Sequence, residues 1–395
     1  MAKMNVSRRG FLAGSAAAVA AVGAGAALAG CSSSSSSSSS AASSAASIAK
    51  IEIKDEVEKL NICTNLKDTK ISSIAMALQK GYYTEEKLEV EQTAFASNFQ
   101  EVMPAVSQGT IDVIPFGSIP ACTYIAQGDD LVIFGGTVLD GSECITLKEN
   151  KDLYKKAEDF KGKKIGAFPM ETGHMATKSW LSKAGLKIGT IADGADVEFV
   201  MMGGSAAEVE GVKNGEIDMC FVNSGYGYTA IQDEAVAVAF RPNELIGHDF
   251  PCCRQTTGRT AFEEKKSALV KFEIANLRGL CDINTDKDDT IKTIVANSGQ
   301  SEDYVESTMY SKGTYTAAMK FEMDPMTDDV KTFYEDMVDN GSMDSYSTDK
   351  ELILKHMDST IYYNALQTLI DRGGDNKSFY EGLMKTYKEK NTLGI

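Results

Sequence analysis

Histidine, basic residues and paired cysteine motifs are scarce in this sequence, and each scarcity excludes a class of function. Only three histidines occur in 395 residues, and none lies at ligand spacing from a cysteine. We therefore expect no zinc or iron–sulfur site and no redox cofactor. Lysine and arginine total 40 against 56 aspartates and glutamates, and no basic stripe interrupts this acidic background. Nucleic acid and anionic membrane surfaces are thus not expected partners.

The remaining composition is that of a globular protein. Hydrophobic residues make up 43% of the chain and charged residues 24%, which excludes a disordered or fibrous protein. A length of 395 residues is enough for a large core and suggests about two domains.

The first 47 residues differ in composition from the rest and resemble an export address. Arg8 and Arg9 precede an uncharged stretch rich in alanine and glycine, which ends at Cys31. This resembles a twin-arginine signal joined to a lipoprotein cleavage box, so residues 1–30 are predicted to be a signal peptide and Cys31 the lipidated residue. A transmembrane anchor is the alternative, but alanine and glycine give little apolar area for a span. Residues 31–56, with their serine run, are predicted to be a flexible tether. Cleavage would change the net charge from −16 to about −19.

Seven cysteines remain without Cys31, an odd number with no CxxC pair, so at least one is expected to be free. The sequence does not show whether any of them pair. Cys252 and Cys253 are adjacent, and on a regular strand their side chains would point to opposite sides.

An internal repeat gives the architecture. Residues 106–112 recur as residues 212–218, and the same offset also pairs Ser118 with Ser224. Each copy reads as a helix, a glycine turn and a short buried strand, predicted over Ile111 to Phe116 in the first copy. Two such units imply an α/β protein with parallel strands and right-handed crossovers. Ligand clefts in such proteins lie at the carboxyl ends of the strands.

The chain turns helical after Ala261. Two apolar faces are predicted there, and we expect both to pack in the core: Val330, Phe333, Tyr334, Met337 and Val338 form one, and Tyr362, Ala365, Leu366, Leu369 and Ile370 form the other.

The order and spacing of several segments resemble one family. They are residues 74–83, 88–91, 108–112, 116–120, 159–165 and 213–218. Over roughly residues 60–310 the chain resembles the substrate-binding proteins of nitrate, sulfonate and taurine importers, which are related to thiamine-pyrimidine-precursor binding proteins. The resemblance implies a type II periplasmic-binding fold, with two α/β lobes joined by two hinge strands. Lobe one would comprise residues 57–141 and 250–395, including C-terminal helices packed on it, and lobe two residues 142–249. The hinge crossings would lie at residues 141–144 and 251–254.

The resemblance also implies a set of ligand-binding residues in the interlobe cleft. They are Asn65, Lys67, Ser97, Asn98, Ser118, Glu143, Glu171, Thr172, Gly173, His174, Asn223, Tyr226 and Arg254. Ser118 and Thr172 suit helix N-capping, and the open amides at such helix starts could bind an anionic oxygen. Glu143 has a second interpretation, a salt bridge with Arg254 across the hinge. Stacking on a flat ligand could come from Tyr226, Tyr228 or Phe168.

These features predict a lipid-anchored, monomeric receptor on the outer face of the membrane, which hands a small polar organic molecule to an ABC permease and its ATPase. The carboxylates favour a zwitterion, a sulfonate, a carboxylate or a pyrimidine-like compound over bare nitrate or sulfate. A surface sensor using the same cleft is an alternative that the sequence does not separate from a receptor. An enzyme related to thiamine-pyrimidine synthesis is less favoured, because no nucleophile paired with a base is visible.

Overall fold

A computed structural model describes residues 48–95, 99–168, 171–313, 315–316 and 319–395. The signal peptide, Cys31 and most of the predicted tether therefore lie outside the described residues. Within these ranges no helix combines the length and the apolarity that crossing a membrane requires.

The strands of the described residues form three sheets. Their bounds are β1 Glu58–Thr64, β2 Leu88–Ala94, β3 Leu131–Leu139, β4 Ser142–Leu147, β5 Lys163–Ala167, β6 Val197–Met201, β7 Met219–Asn223, β8 Val236–Phe240, β9 Pro251–Gly258 and β10 Lys320–Phe321. The first sheet pairs β1 with β2 in parallel, and the second is antiparallel in the order β10-β3-β9. The third, which we name the five-stranded sheet, has the order β6-β5-β7-β4-β8. Its strand β5 is parallel to β6 and β7, whereas β4 is antiparallel to β7 and β8.

Helices cover these sheets. Their bounds are α1 Ser72–Gln79, α2 Tyr82–Glu85, α3 Phe99–Ser107, α4 Ser118–Gln127, α5 Thr172–Lys183, α6 Ser205–Lys213, α7 Tyr226–Ala230, α8 Pro242–Ile246, α9 Arg259–Glu264, α10 Lys266–Thr285, α11 Lys287–Ser298, α12 Glu302–Tyr310, α13 Thr327–Asp339, α14 Thr360–Arg372 and α15 Lys377–Lys390. The predicted apolar faces of α13 and α14 are buried in one large core cluster with β1, β3 and α10, except that Val338 and Ile370 are only partly buried. The prediction that the C-terminal helices pack in this core is confirmed.

The internal repeat makes the same aspartate contact in both copies. Asp112 follows α3 and accepts a hydrogen bond from the backbone amide of Asn61 on β1, at 2.8 Å. Asp218 follows α6 and accepts one from the amide of Lys164 on β5, at 2.9 Å. The repeated aspartate thus ties each helix–turn unit to the parallel strand beside it.

The strand predicted over Ile111 to Phe116 is much shorter than expected. Only two residues form bridges, Val113 with Ile62 of β1 and Ile114 with Thr256 of β9. Because neighbouring residues pair with different strands, no continuous ladder forms. The segment instead links the first two sheets into one layer.

The chain crosses twice between this layer and the five-stranded sheet. The first crossing is at Asp140 and Gly141, between β3 and β4, and the second is at residues 247–250, between α8 and β9. The second therefore lies just before the predicted segment 251–254, because β9 already pairs with β3 from Pro251 onward. The two crossings are bonded together: the amide of Phe250 donates to Asp140 Oδ1 at 2.9 Å, and the amide of Asp140 donates to the carbonyl of Phe250 at 3.1 Å.

Candidate functional site

A cavity of about 160 Å³ lies between the five-stranded sheet and the other two sheets. Its walls come from the segments that follow β1, β2 and β5, from the last residue of β7, from the starts of α3 to α5, and from β9. The lining residues are Asp68, Lys70, Phe95, Phe99, Phe116, Gly117, Phe168, Thr172, Asn223, Cys252 and Cys253. The carboxyl ends of parallel strands therefore meet here, which is where ligand sites of α/β proteins form.

Lys70 supplies the positive charge of the cavity. The residue is only 4% exposed, and its Nζ donates to Oδ1 of Asn223 at 2.9 Å, which joins the two sides of the cavity. Burial disfavours the charged ammonium, but attraction by Asp68 and by the two cysteines outweighs it and raises the pKa of Lys70 above its ordinary value. Lys70 is thus a buried cation with little exposure to bulk solvent.

Asp68 holds Lys70 in place and is the carboxylate of the cavity. It follows β1, and its Oδ1 accepts the backbone amide of Lys70 at 2.9 Å at the start of a single 3₁₀ turn over Thr69–Ile71. An aspartate capping a turn in this way fixes the backbone from which the lysine side chain extends.

Aromatic rings form the apolar wall of the cavity. Phe95 lies 4.9 Å from Phe99 and 5.0 Å from Phe116 between ring centroids, and the rings of Phe95 and Phe116 are stacked. Phe168 comes from the segment after β5 on the other side. Such a wall accommodates the apolar body of a small organic ligand.

Two helices begin at the cavity, but their N-caps are not the predicted residues. Gly117 is the N-cap of α4 and Glu171 that of α5, so Ser118 and Thr172 are the first residues inside these helices. Gly117 has a positive φ of 73°, and a Cβ there would lie 2.5 Å from the ring of Pro120, so the helix start requires glycine. The Ser118 hydroxyl instead donates to the carbonyl of Cys252 at 2.9 Å.

Glu171 has its carboxylate oxygens engaged by its own helix. They accept the amide of Gly173 at 3.0 Å and that of His174 at 2.7 Å, and Oε1 also accepts the hydroxyl of Ser142. Burial alone would raise the pKa of Glu171, but hydrogen bonding and attraction from His174, with the bond from Ser142, outweigh it and lower the pKa. Glu171 does not line the cavity, and its observed role is to cap α5.

The expected salt bridge between Glu143 and Arg254 is not formed. Glu143 accepts a hydrogen bond from the hydroxyl of Tyr315, whereas Arg254 donates to the backbone carbonyls of Asp324 and, at 2.9 Å, Val138. Glu143 lies on β4 of the five-stranded sheet and Arg254 on β9 of the antiparallel sheet, and the two side chains bond to different partners. Burial raises the pKa of Glu143 to about 7.

The other predicted site residues divide into three groups. Thr172 and Asn223 line the cavity. Ser97 and Asn98 lie outside the described residues. Of the rest, Asn65 and Lys67 form a turn in which the amide of Lys67 donates to Asn65 Oδ1 at 3.3 Å, Gly173 packs against Ser142, and Tyr226 is the first residue of α7.

His174 borders a second, larger groove of about 610 Å³ between α5, β6 and the helices α4 and α13. Two of its lining residues, Met201 and Tyr346, are 56% and 43% exposed. This groove is therefore an open surface feature, in contrast to the cavity around Lys70.

Cys252 and Cys253 both face the cavity, contrary to the prediction that they point to opposite sides. Val138 pairs with Cys253 and Leu139 with Pro251, so Cys252 is an extra residue in β9, which is a β-bulge. The two sulfurs lie 3.6 Å apart. The seven cysteines of the described residues are all buried and free, and these residues hold no cluster of metal-binding side chains.

Sequence reasoning missed most of the lining residues. On the loop after β1, the resemblance implies binding positions only as far as Lys67, one turn before Lys70. Phe168 is predicted only as a possible stacking residue. One signal was available: Asp68 follows a buried strand at a spacing typical of a capped turn, which would have directed attention to the lysine two residues later.

Comparisons with known proteins agree with this architecture. A family model described as NMT1/THI5 like matches residues 68–290, and no curated protein matches the sequence. The alkanesulfonate-binding protein SsuA from Xanthomonas axonopodis pv. citri, solved with MOPS, is similar in structure. It is 17% identical with a TM-score of 0.58, over 78% of this chain and 100% of that one. The periplasmic nitrate-binding protein NrtA from Synechocystis PCC 6803 is 14% identical with a TM-score of 0.62, over 83% and 92%. The aliphatic sulphonate binding protein SsuA from Escherichia coli is 17% identical with a TM-score of 0.58, over 76% and 91%.

Proposed function

Because the chain belongs to the NMT1/THI5-like family, we propose that it is the solute-binding component of an ABC importer and that it captures a small organic anion in the cavity around Lys70. The observation that carries this proposal is the buried Lys70 ammonium, bonded to Asn223 across the cavity. A buried cation beside two helix starts suits a sulfonate or carboxylate group. The three solved structures above are those of binding proteins, and two are named for sulfonates, which also supports a binding role.

The size and walls of the cavity limit the ligand. A cavity of about 150 Å³ can hold benzene, so about 160 Å³ suits a ligand of roughly one ring or a short aliphatic chain. The phenylalanine wall favours an apolar body, which nitrate and sulfate lack. An amine on the ligand would face Asp68, which lines the cavity, rather than Glu171, whose oxygens are engaged.

Capture would use the two lobes of the fold. We assign residues 57–141 and 250–395 to lobe one and residues 142–249 to lobe two, since the strands change sheet at these points. Lys70 would then come from lobe one and Asn223 from lobe two, so that a ligand touching both holds the lobes together.

The protein would deliver its ligand to the permease outside the cytoplasm. We propose that residues 1–30 are a signal peptide and that Cys31 carries acyl chains at the outer face of the membrane, with the permease and ATPase as partners. The sequence around Arg8, Arg9 and Cys31 supports this assignment.

A thermal-shift panel tests the proposed function. The probes are benzenesulfonate, benzoate, taurine and nitrate, with glucose as a neutral control. At 100 times its dissociation constant a ligand adds about 2.7 kcal/mol to the folded state, so an organic anion that binds should raise the melting temperature clearly. Nitrate and glucose should leave it unchanged. Stabilisation by nitrate alone, or by none of the anions, would contradict the proposed ligand class.

A further inference from the structure

Cys252 and Cys253 form an adjacent thiol pair on one face of a strand. The bulge in β9 turns both side chains into the cavity, and their sulfurs lie 3.6 Å apart. Each residue is less than 5% exposed in its own right, but both border a space wide enough for a molecule of a few atoms. A regular strand would separate the two sulfurs across the sheet, so the bulge is what makes a reaction between them geometrically accessible.

The two thiols have unequal surroundings. A hydrogen bond from the Cys252 thiol, together with the Lys70 ammonium and the Gly117 amide, lowers the pKa of Cys253 to about 7 against the effect of burial. The hydrogen bond to Cys253 and burial raise the pKa of Cys252 well above its ordinary value. This asymmetry favours Cys253 as the nucleophile and Cys252 as the resolving thiol of an oxidation in two steps.

We propose that Cys252 and Cys253 are a peroxide-reactive pair that closes into a vicinal disulfide. The Cys253 thiolate attacks one oxygen of hydrogen peroxide, the O–O bond breaks, and hydroxide leaves with its electron pair, which gives a sulfenic acid at Cys253. The Cys252 thiol then attacks that sulfur, its proton goes to the departing hydroxyl, and water leaves as the S–S bond forms. Overall one thiolate, one thiol and one peroxide give one disulfide, one water and one hydroxide, and the hydroxide becomes a second water when it takes up the proton that Cys253 released on ionising. Two electrons pass from the sulfurs to the peroxide.

The reaction changes the chemistry of the cavity. It replaces the ionisable Cys253 thiol near Lys70 with a disulfide that carries no acidic proton, and so removes a group whose ionised form would favour the ammonium. The oxidation requires no particular ligand in the cavity.

Peptide mass mapping of the full chain tests the pair. The protein is treated with one equivalent of hydrogen peroxide at pH 7, denatured and alkylated. A peptide that contains both Cys252 and Cys253, unalkylated and about 2 Da lighter than the dithiol form, is the expected product. Equal oxidation of these residues and of Cys122, whose pKa burial raises to about 12, would overturn the proposal.

Two variants separate the roles of the sulfurs. Cys252→Ser should stop at a sulfenic acid on Cys253, which dimedone traps, whereas Cys253→Ser should leave Cys252 unmodified at the same dose. Cys122→Ser is the matched control, since it removes a buried thiol from α4 and should behave like the parent. Dimedone labelling of Cys252 in the Cys253→Ser variant would show that Cys252 also reacts with peroxide, and would overturn the assignment of Cys253 as the nucleophile.

Alkylation rates of the parent protein test the reactivity of Cys253 without any substitution. Iodoacetamide should modify Cys253 at least about 100-fold faster than Cys122 at pH 7, with a midpoint near the lowered pKa. A Cys253 rate that rises only above pH 8.5, as for an ordinary thiol, would overturn the proposal.

Discussion

Lys70 is the residue whose replacement tests the ligand chemistry most sharply. Lys70→Met keeps an unbranched apolar side chain of similar length but removes the ammonium that bonds to Asn223. A hydrogen bond to a charged group contributes about 1.5 to 3 kcal/mol, so losing it should weaken the binding of a sulfonate or carboxylate by about 10- to 150-fold. The effect should lie in the upper part of this range, because Lys70 is only 4% exposed and water cannot replace it easily.

The assay is calorimetric titration with two probes of nearly the same shape. Benzenesulfonate carries the charge, and benzenesulfonamide does not. Lys70→Met should weaken benzenesulfonate binding strongly and change benzenesulfonamide binding by less than about threefold, since the aromatic wall is untouched.

Lys67→Met is the matched control, because Lys67 lies on the same loop but is exposed and does not line the cavity. This variant should bind both probes like the parent. Equal losses for both probes in Lys70→Met would mean that the lysine only shapes the cavity. The same loss in Lys67→Met would indicate long-range attraction and refute the assignment of a direct contact.

Three further predictions concern membrane anchoring, lobe closure and a buried carboxyl group. Cys31→Ala should leave the protein unprocessed or released from the membrane fraction, and replacing Arg8 and Arg9 by lysine should block export; a variant processed, exported and bound like the parent would contradict the lipoprotein assignment. Small-angle scattering should show a smaller radius of gyration with a saturating organic anion than without it, and an unchanged radius despite proven binding would indicate a rigid cleft. Burial raises the pKa of Glu208 to about 8, so the folded state keeps a proton that the unfolded chain releases near pH 4.5, and stability should fall between these values. Urea unfolding at pH 5 and pH 8 should show this fall in the free energy of unfolding, and Glu208→Gln should reduce the fall by on the order of 3 kcal/mol. The same fall in the parent and in Glu208→Gln would contradict the raised pKa of Glu208.

The fold was predictable because its signals are local and repeated. Residues 106–112 and 212–218 share a pattern, and the two aspartates that end them bond to equivalent strands. The apolar faces of α13 and α14 have helical spacing, and such spacing determines which side is buried. The division into two lobes came from the family resemblance, and the residue boundaries of the lobes are a proposal.

The site was harder to predict because long-range contacts determine it. The orientation of Cys252 depends on a bulge that arises from pairing with β3, more than 110 positions earlier in the chain, and no local pattern encodes it. Glu143 and Arg254 were expected to meet because both flank the hinge, but each finds a partner from the segment 315–324. Ser118 and Thr172 were predicted to cap the helices that follow them, whereas they are the first helical residues and the caps lie one residue earlier.

A crystal structure of the full chain with bound benzenesulfonate tests the assignment of the ligand site to the cavity around Lys70 most directly. One molecule should lie in the cavity, with a sulfonate oxygen within about 3 Å of Lys70 Nζ and the ring against Phe95 and Phe116. Density for the ligand in the groove beside His174, with the cavity around Lys70 empty, would contradict this assignment.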